Sequence, residues 1–573
     1  MSTPADTDSR PTGRGQRRDR AEGQWALGQT EPLNPNEQMK RDDNGLNVRA
    51  RVEADYAQRG FASIVPSDLH GRLRWWGLYT QRRPGIDGGR TATLEPHELD
   101  DEYFMLRVRI DGGAVDLAQL RVLADISRRF ARGTADITDR QNLQFHWIRI
   151  EDMPAIWAAL ESVDLITTEA CGDTPRVVLG SPVAGVAADE LVDGTPAIAE
   201  ILRRHIGDPD LANLPRKFKT AISGSPHGDV AHEIHDIAFV GVEHPDHGPG
   251  FDLWVGGGLS TNPMLAQRLG AWVPLEEVPD VWYGVISIFR DYGYRRLRTR
   301  ARLKFLMADW GPQKFREVLE REYLRRPLVD GPAPVPSAQR KDHVGVHRQR
   351  DGRFYVGAAP VVGRVSGEML AGLADAATRA GSDRLRFTPE QKVVVLDVAA
   401  PAVADLLDDL DVLGLTARAS AFRRGTMACT GIEFCKLAIV ETKVTGARLV
   451  TELERRLADL PELFTTGAPP ITININGCPN SCARAQIADI GLKGVQLPDP
   501  DDPTGPTVEG FQLHLGGGLG LHAGLGRKVR GLKTTSDQLP AYVERLVRRW
   551  VAQRTDDEPF AVWACGAAEE DLR

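Results

Sequence analysis

The chain is written twice, and a chain written twice folds as two related halves. The stretch FMLRVRIDGGAVDLAQLRVLADISRRF from Phe104 aligns without gaps on FYVGAAPVVGRVSGEMLAGLADAATRA from Phe354, pairing Gly113 with Gly363, Leu120 with Leu370 and Asp125 with Asp375. The register continues through Thr138/Thr388 and Gln141/Gln391. A second block follows at slightly larger spacing. There Asp236-Ile237 matches Asp489-Ile490, Gly241 matches Gly494, and GFDLWVGGGLS from Gly250 matches GFQLHLGGGLG from Gly510. Two ordered blocks argue against a chance match.

Each half is therefore a small unit followed by a larger one. In the small unit an apolar alternating run, a helix-period set (Leu117, Leu120, Leu123, Ile126) and a second alternating run (Leu143, Phe145, Trp147) predict strand, helix, strand. That order suits a ferredoxin-like unit. The expected fold class is α+β, internally duplicated, with ferredoxin-like small units and larger mixed α/β units related by a pseudo-two-fold axis. The expected division is a disordered or extended segment 1–60, units 61–165 and 166–328, a Pro-rich linker 329–346, and units 347–418 and 419–573. A length of 573 residues exceeds what one core supports, so several domains are expected on that ground too.

Where the halves differ, chemistry is concentrated. Cys429 and Cys435 lie in TMACTGIEFC, and Cys478 and Cys482 in INGCPNSC. Four thiolates brought to one point are what a 4Fe-4S cluster requires. Structural zinc also takes four thiolates, though its pairs are usually closer than the C-x5-C spacing here. Disulfides fit poorly, because six cysteines in 573 residues are sparse and no secretory segment precedes them. Extending the Asp236/Asp489 match sets Ser225 opposite Cys478 and Asp229 opposite Cys482, so the first half lacks thiols there. Conversely Arg107 faces Gly357 and Arg140 faces Glu390. If the halves pack about an axis, one site between them receives thiolates from one copy and cations from the other.

Composition excludes other classes. A net charge of −8 gives no sign of a nucleic-acid surface, and no apolar run approaches the length needed to cross a bilayer. The first residues mix acids with arginines and lack an apolar core, so neither a signal nor a transit peptide is expected. A cytoplasmic location follows as the expectation, and a monomer, since duplication already supplies an internal interface.

At this point the motifs resemble the siroheme-containing sulfite and nitrite reductases. The resemblance rests on C-x5-C with NGCPNSC, on TDRQNLQFH (Thr138 to His146), LPRKFK (Leu214 to Lys219) and the two GGGL turns, and covers nearly everything after about residue 60. It is nearest to the ferredoxin-dependent assimilatory sulfite reductases of actinobacterial type. It implies that Cys429, Cys435, Cys478 and Cys482 hold the cluster and that Cys482 is also axial to the siroheme iron. It implies that Arg107, Arg176, Lys217 and Lys219 receive the oxyanion, and that Arg140, Gln144, His146 and Arg216 bind siroheme. Arg302 and Lys304 are further candidates. Tyr79 and Cys171 resemble a pair that is covalently linked in some relatives; the alternative is a buried free thiol at Cys171, and Cys565 is read as structural or incidental.

The reaction implied is six-electron reduction of sulfite to sulfide. Nitrite reduction to ammonia is the alternative, and Lys219 favours sulfite, because an extra cation suits a dianion. No G-x-G-x-x-G follows an early strand, so electrons come from another protein, reduced ferredoxin or a separate flavoprotein. The N-terminal Arg-rich and Tyr/Trp segments are candidate contacts for it. A non-enzymatic Fe-S or zinc-bound scaffold is the competing reading from another class.

Overall fold

A computed structural model of the chain describes residues 33–338, 340–465, 469–556 and 558–573. The duplication is visible strand by strand. One five-stranded sheet orders Leu78–Arg82, Asp100–Val108, Leu143–Ile148, Thr134–Ile137 and Arg364–Ser366; another orders Gly345–Arg348, Phe354–Ala358, Val393–Val398, Arg384–Phe387 and Ala114–Asp116. The last strand of each sheet comes from the other half. Ala114–Asp116 of the first half pairs antiparallel with Arg384–Phe387, and Arg364–Ser366 of the second pairs with Thr134–Ile137. This reciprocal exchange is what a pseudo-two-fold axis produces.

Sequence chemistry explains the elements beside that exchange. Helix Leu117–Phe130 is capped by Asp116 and Gln119 acting reciprocally, and helix Gly367–Arg379 by Ser366. Their apolar stripes, Leu120, Leu123 and Ile126 with Leu370, Leu373 and Ala377, share one core with both sheets. Two glycines make the close approach possible. A Cβ on Gly113 would lie 2.1 Å from the Phe387 carbonyl oxygen, and one on Gly363 would lie 2.8 Å from that of Ile137. Both have positive φ, +68° and +74°, which only glycine adopts cheaply. Gln141 and Gln391 brace the same junction: the Gln141 side-chain amide donates to Phe387 O (2.8 Å) and the Gln391 amide to Ala428 O (3.0 Å).

The larger units are mixed sheets. In the first, Pro175–Gly180, Phe218–Ser223 and Ile237–His244 run parallel, followed by the antiparallel Gly248–Val255, Gln267–Val273 and Val329–Asp330. In the second, Thr426–Ala428, Ile473–Asn476 and Ile490–Leu497 run parallel, then Val508–Leu515 and Lys533–Thr535 antiparallel. In each, an aspartate just before the third strand ties it to the start of the second. Asp236 accepts from the Lys219 amide at 2.9 Å and Asp489 from the Thr472 amide at 2.8 Å.

One expectation is corrected. Residues 33–60 are not extended: they form short helices from Pro35–Asp42 onward that bury Val48, Val52 and Tyr56 in the first core. Asp68 ties this segment down, accepting from Arg51 (2.7 Å), Tyr56 (2.8 Å) and Arg72 (2.9 Å). The remainder of that expectation, and the Arg-rich segment before Gly23, lie outside the described residues. Within the Tyr/Trp segment Trp75 is 1% exposed and donates to Ala212 O at 2.8 Å, whereas Trp76 and Tyr79 are half-buried. Among the described residues no helix is long and apolar enough to cross a membrane.

Candidate active site

The four cysteines come from two loops at one end of the second large sheet. Cys429 follows the strand Thr426–Ala428, and its sulfur accepts from the Gly477 amide at 3.2 Å. Gly431, at φ +70°, lets the chain turn toward Cys435 against Thr442. Cys478 follows Ile473–Asn476, and Asn476 accepts from the Ala483 amide at 2.7 Å, which closes the loop carrying Cys482. Burial pushes the Cys429 thiol up to about 12, and pushes Cys435 and Cys478 up as well, with Cys482 reinforcing all three. Every one of the four lies within electrostatic reach of the others. Yet among the described residues no three metal-ligating side chains converge on a single ion. Four thiols within reach of one another are the donor set that a 4Fe-4S cluster requires.

Cations from the first half face Cys482. Arg107, on Asp100–Val108, donates to the Cys171 sulfur at 2.7 Å and to Gln144 Oε1 at 2.9 Å. Burial opposes its charge, but Cys171, Tyr79, Asp139 and Cys482 raise its pKa overall. Arg176 is aimed by bonds to Gly172 O and Ala170 O, both 3.1 Å. Lys217 is pulled down to about 7 by burial and then Arg302, against the opposing influence of Cys482. Lys219 is pulled well below its ordinary value by burial and then by Arg140 and Lys217. These lysines sit where losing a proton is easy.

The residues expected to bind a carboxylate-rich group divide. Arg140 is held by Val177 O (2.6 Å) and His235 (2.9 Å), while its buried Nε has no partner. Burial pulls Arg140 down to about 9 and Arg216 to about 10, with Arg298 adding at Arg216 and Asp173 opposing. Groups this short of counter-charge suit a polycarboxylate. Gln144 joins Arg107 to Thr430 Oγ1 (3.1 Å), so it bridges the halves. His146 lies 2% exposed with its ring stacked on Phe434 at 3.7 Å, the residue before Cys435. Tyr79 and Cys171 both lie beside Arg107. Lys304 is bound by the carbonyls of Gly258 (3.1 Å) and Leu259 (2.8 Å), so it clamps a GGGL turn rather than reaching the site. Arg302 pairs with Asp236 at 2.8 Å.

Sequence reading missed three contributors. Asp236 is the buried anion that anchors Arg302 and the Lys219 backbone; its place in the repeat was the available signal. Arg484, two residues beyond Cys482, is a second-half cation. It reaches Asp139 at 3.2 Å and Glu390 at 3.3 Å, so the site's cations are not all from the first half. Phe434 gave no polar signal at all.

Comparison with known proteins agrees in extent. The family model described as nitrite and sulphite reductase 4Fe-4S domain matches residues 171–328 and 419–559, and the nitrite/sulfite reductase ferredoxin-like half domain matches 97–163 and 347–413. A sulfite reductase [ferredoxin] of Mycobacterium tuberculosis is 61% identical over 554 residues, covering 97% of this chain and 98% of the relative. An assimilatory ferredoxin-dependent nitrite reductase of Haloferax mediterranei is 35% identical, over 92% of this chain and 90% of its own length. The solved structure of the Mycobacterium tuberculosis NirA protein superposes with a TM-score of 0.93 at 61% identity, covering 96% of this chain and all of that one.

Proposed function

Because the chain belongs to the nitrite and sulphite reductase family, we propose that it is a ferredoxin-dependent oxidoreductase reducing sulfite to sulfide by six electrons. The observation that carries this reading is the meeting of Cys482, from the thiol-bearing half, with Arg107 and Lys217 from the other. Cys429, Cys435, Cys478 and Cys482 would hold a 4Fe-4S cluster, and Arg140, Arg216, Gln144 and His146 would hold a siroheme, to whose iron Cys482 would also be a ligand. When bound, these groups supply one-electron relay and an electron-rich iron for the anion.

The chain's own residues do the rest. Arg107 and Arg176 orient the anion's oxygens through forked donors held at fixed angles by Gln144 and by the carbonyls of Gly172 and Ala170. Lys217 and Lys219 bring protons as S–O bonds break and water leaves. Their lowered pKa values make that transfer easier at neutral pH. Two lysines beside two arginines favour a dianion over a monoanion, which supports sulfite rather than nitrite. The thiols require a reducing setting, which supports a cytoplasmic location.

The test compares kcat/KM for sulfite and nitrite with reduced ferredoxin, alongside a visible absorption spectrum. Soret-type and red bands with preference for sulfite are expected. A preference for nitrite overturns the substrate, and a protein that stays colourless when supplied with both prosthetic groups overturns the mechanism.

A further inference from the structure

The second large sheet has two unlike faces. Ile490, Leu492, Phe511, Leu513 and Leu515 are buried in that half's core. Side chains alternate along strands, so the residues between them face the other way. There Lys493 stands opposite Gln512 and Gln512 opposite Lys533, with His514 two residues along on the same face. Lys528, on the loop between Val508–Leu515 and Lys533–Thr535, joins them: its charge and that of Lys533 add to burial in lowering Lys493, and Lys493 and Lys528 add to burial in lowering His514. Lys528 and Lys533 are exposed and Lys493 is half-buried. Among the described residues none of these three lysines has a carboxylate in an ion pair.

Three like charges left uncompensated stand out on a chain whose net charge is −8. Their place is also specific. Lys493 pairs with Asn476, two residues before Cys478. With neighbouring strands about 4.8 Å apart and about 3.8 Å between successive Cα atoms, Lys493 lies within about 12 Å of Cys478. The first half has no such face. By the repeat, Val240 stands where Lys493 does and Trp254 where His514 does. Among the described residues the basic face lies beside the thiols and is missing from the matching place in the first half.

We propose that the face carrying Lys493, Lys528, Lys533 and His514 is the docking surface for the acidic one-electron donor protein that reduces the cluster. The proposal rests on the reading of function above. Each encounter oxidises the donor by one electron and reduces the cluster by one, with no atom transferred. A basic face steers an acidic carrier and shortens the path to Cys478.

The test uses the full loaded enzyme with Lys528→Glu/Lys533→Glu, both exposed positions, and with Lys493→Glu added. Reduced bacterial 4Fe-4S ferredoxin is one donor and reduced methyl viologen, a small cation, the other. Expected is a fall of about tenfold or more in kcat/KM for ferredoxin and a flatter salt dependence, with viologen-driven sulfite reduction unchanged. Wild-type kinetics with ferredoxin in the double variant overturn the proposal, as does a parallel loss with viologen. Titration calorimetry of oxidised ferredoxin at low salt reads docking without turnover. Binding weakened about tenfold in the double variant supports the surface, and unchanged binding overturns it. A wild-type protein inactive toward sulfite with viologen refutes the functional reading instead, and calorimetry still decides the surface.

Discussion

Replacing Lys217 by methionine should make the protein more stable and leave it unable to reduce sulfite. The Lys217 ammonium is part-buried near Arg302, Arg176 and Arg216, and burial with these charges takes its pKa from 10.5 to about 7. At about 1.36 kcal/mol per unit, the charged form carries a penalty of up to roughly 4 kcal/mol at neutral pH. Apolar replacements of buried charges commonly return about 1–4 kcal/mol, so a gain of about 2–4 kcal/mol is expected. The sign in pH follows from the lowered folded value. Between pH 7 and 10.5 the unfolded chain binds more protons, so the penalty is full below 7 and fades as pH rises toward 10.5. With an unfolding entropy of about 2.1 cal/mol/K per residue over 573 residues, the gain is a midpoint rise of about 2–3 °C. Scanning calorimetry near pH 6.5 and near pH 9.5, on preparations matched for cluster and haem, should show the gap large at the first and small at the second. Viologen-driven sulfite reduction should fall by about 100-fold or more, as for loss of a proton donor. A variant no more stable than wild type near pH 6.5, or a gap independent of pH, would falsify the view that function holds this lysine at a cost to stability.

Cys482→Ser should remove the haem and cluster absorption together, whereas Cys435→Ser should first affect the cluster; a Cys482→Ser protein with normal haem bands would detach that residue from the iron. Lys219→Asn should raise the nitrite-to-sulfite ratio of kcat/KM by about tenfold, because one lost cation costs a dianion more than a monoanion; an unchanged ratio sinks the charge argument. Gly113→Ala should destabilise by about 2–3 kcal/mol, since its Cβ would meet Phe387 O at 2.1 Å in a backbone of φ +68°. Gly381→Ala is the control, at φ +76° with nothing within 4 Å, and should cost only about 1 kcal/mol; equal losses would mean that the junction is not tight.

The repeat made most of the architecture legible, because alternation and helix periods survive divergence wherever a face is buried. Leu120, Leu123 and Ile126 fall on the helix stripe expected of them. The exchange of Ala114–Asp116 for Arg364–Ser366 was not legible. Each strand is three residues long, and its partner lies in the other copy, so no local pattern announces it. Residues 33–60 read as extended for a related reason. Their helices are short and polar, and what holds them is a buried aspartate, Asp68, together with contacts to later segments. Charge content suggested disorder where ion pairing across the fold supplied order.

The sequence names the residues expected at the site and says little of their scaffolding, and the two copies show why. Around Cys482 and around Asp229 the backbones agree: Arg484 and Ala231 both adopt positive φ, and each opens a single helical turn, Ala485–Ile487 and His232–Ile234. Their side chains have diverged. Cys482 is exposed toward Arg107 and Lys217, whereas Asp229 is 2% exposed and accepts from Ser181 (2.6 Å), Ser223 (3.0 Å) and His343 (3.1 Å). A buried carboxylate satisfied by three partners is a closed network with no valence left for a ligand. The first half therefore seals the position that the second half opens, and a duplicated fold with two equivalent loops presents one site. Arg107, Lys217 and Lys219 accordingly come from the half without thiols.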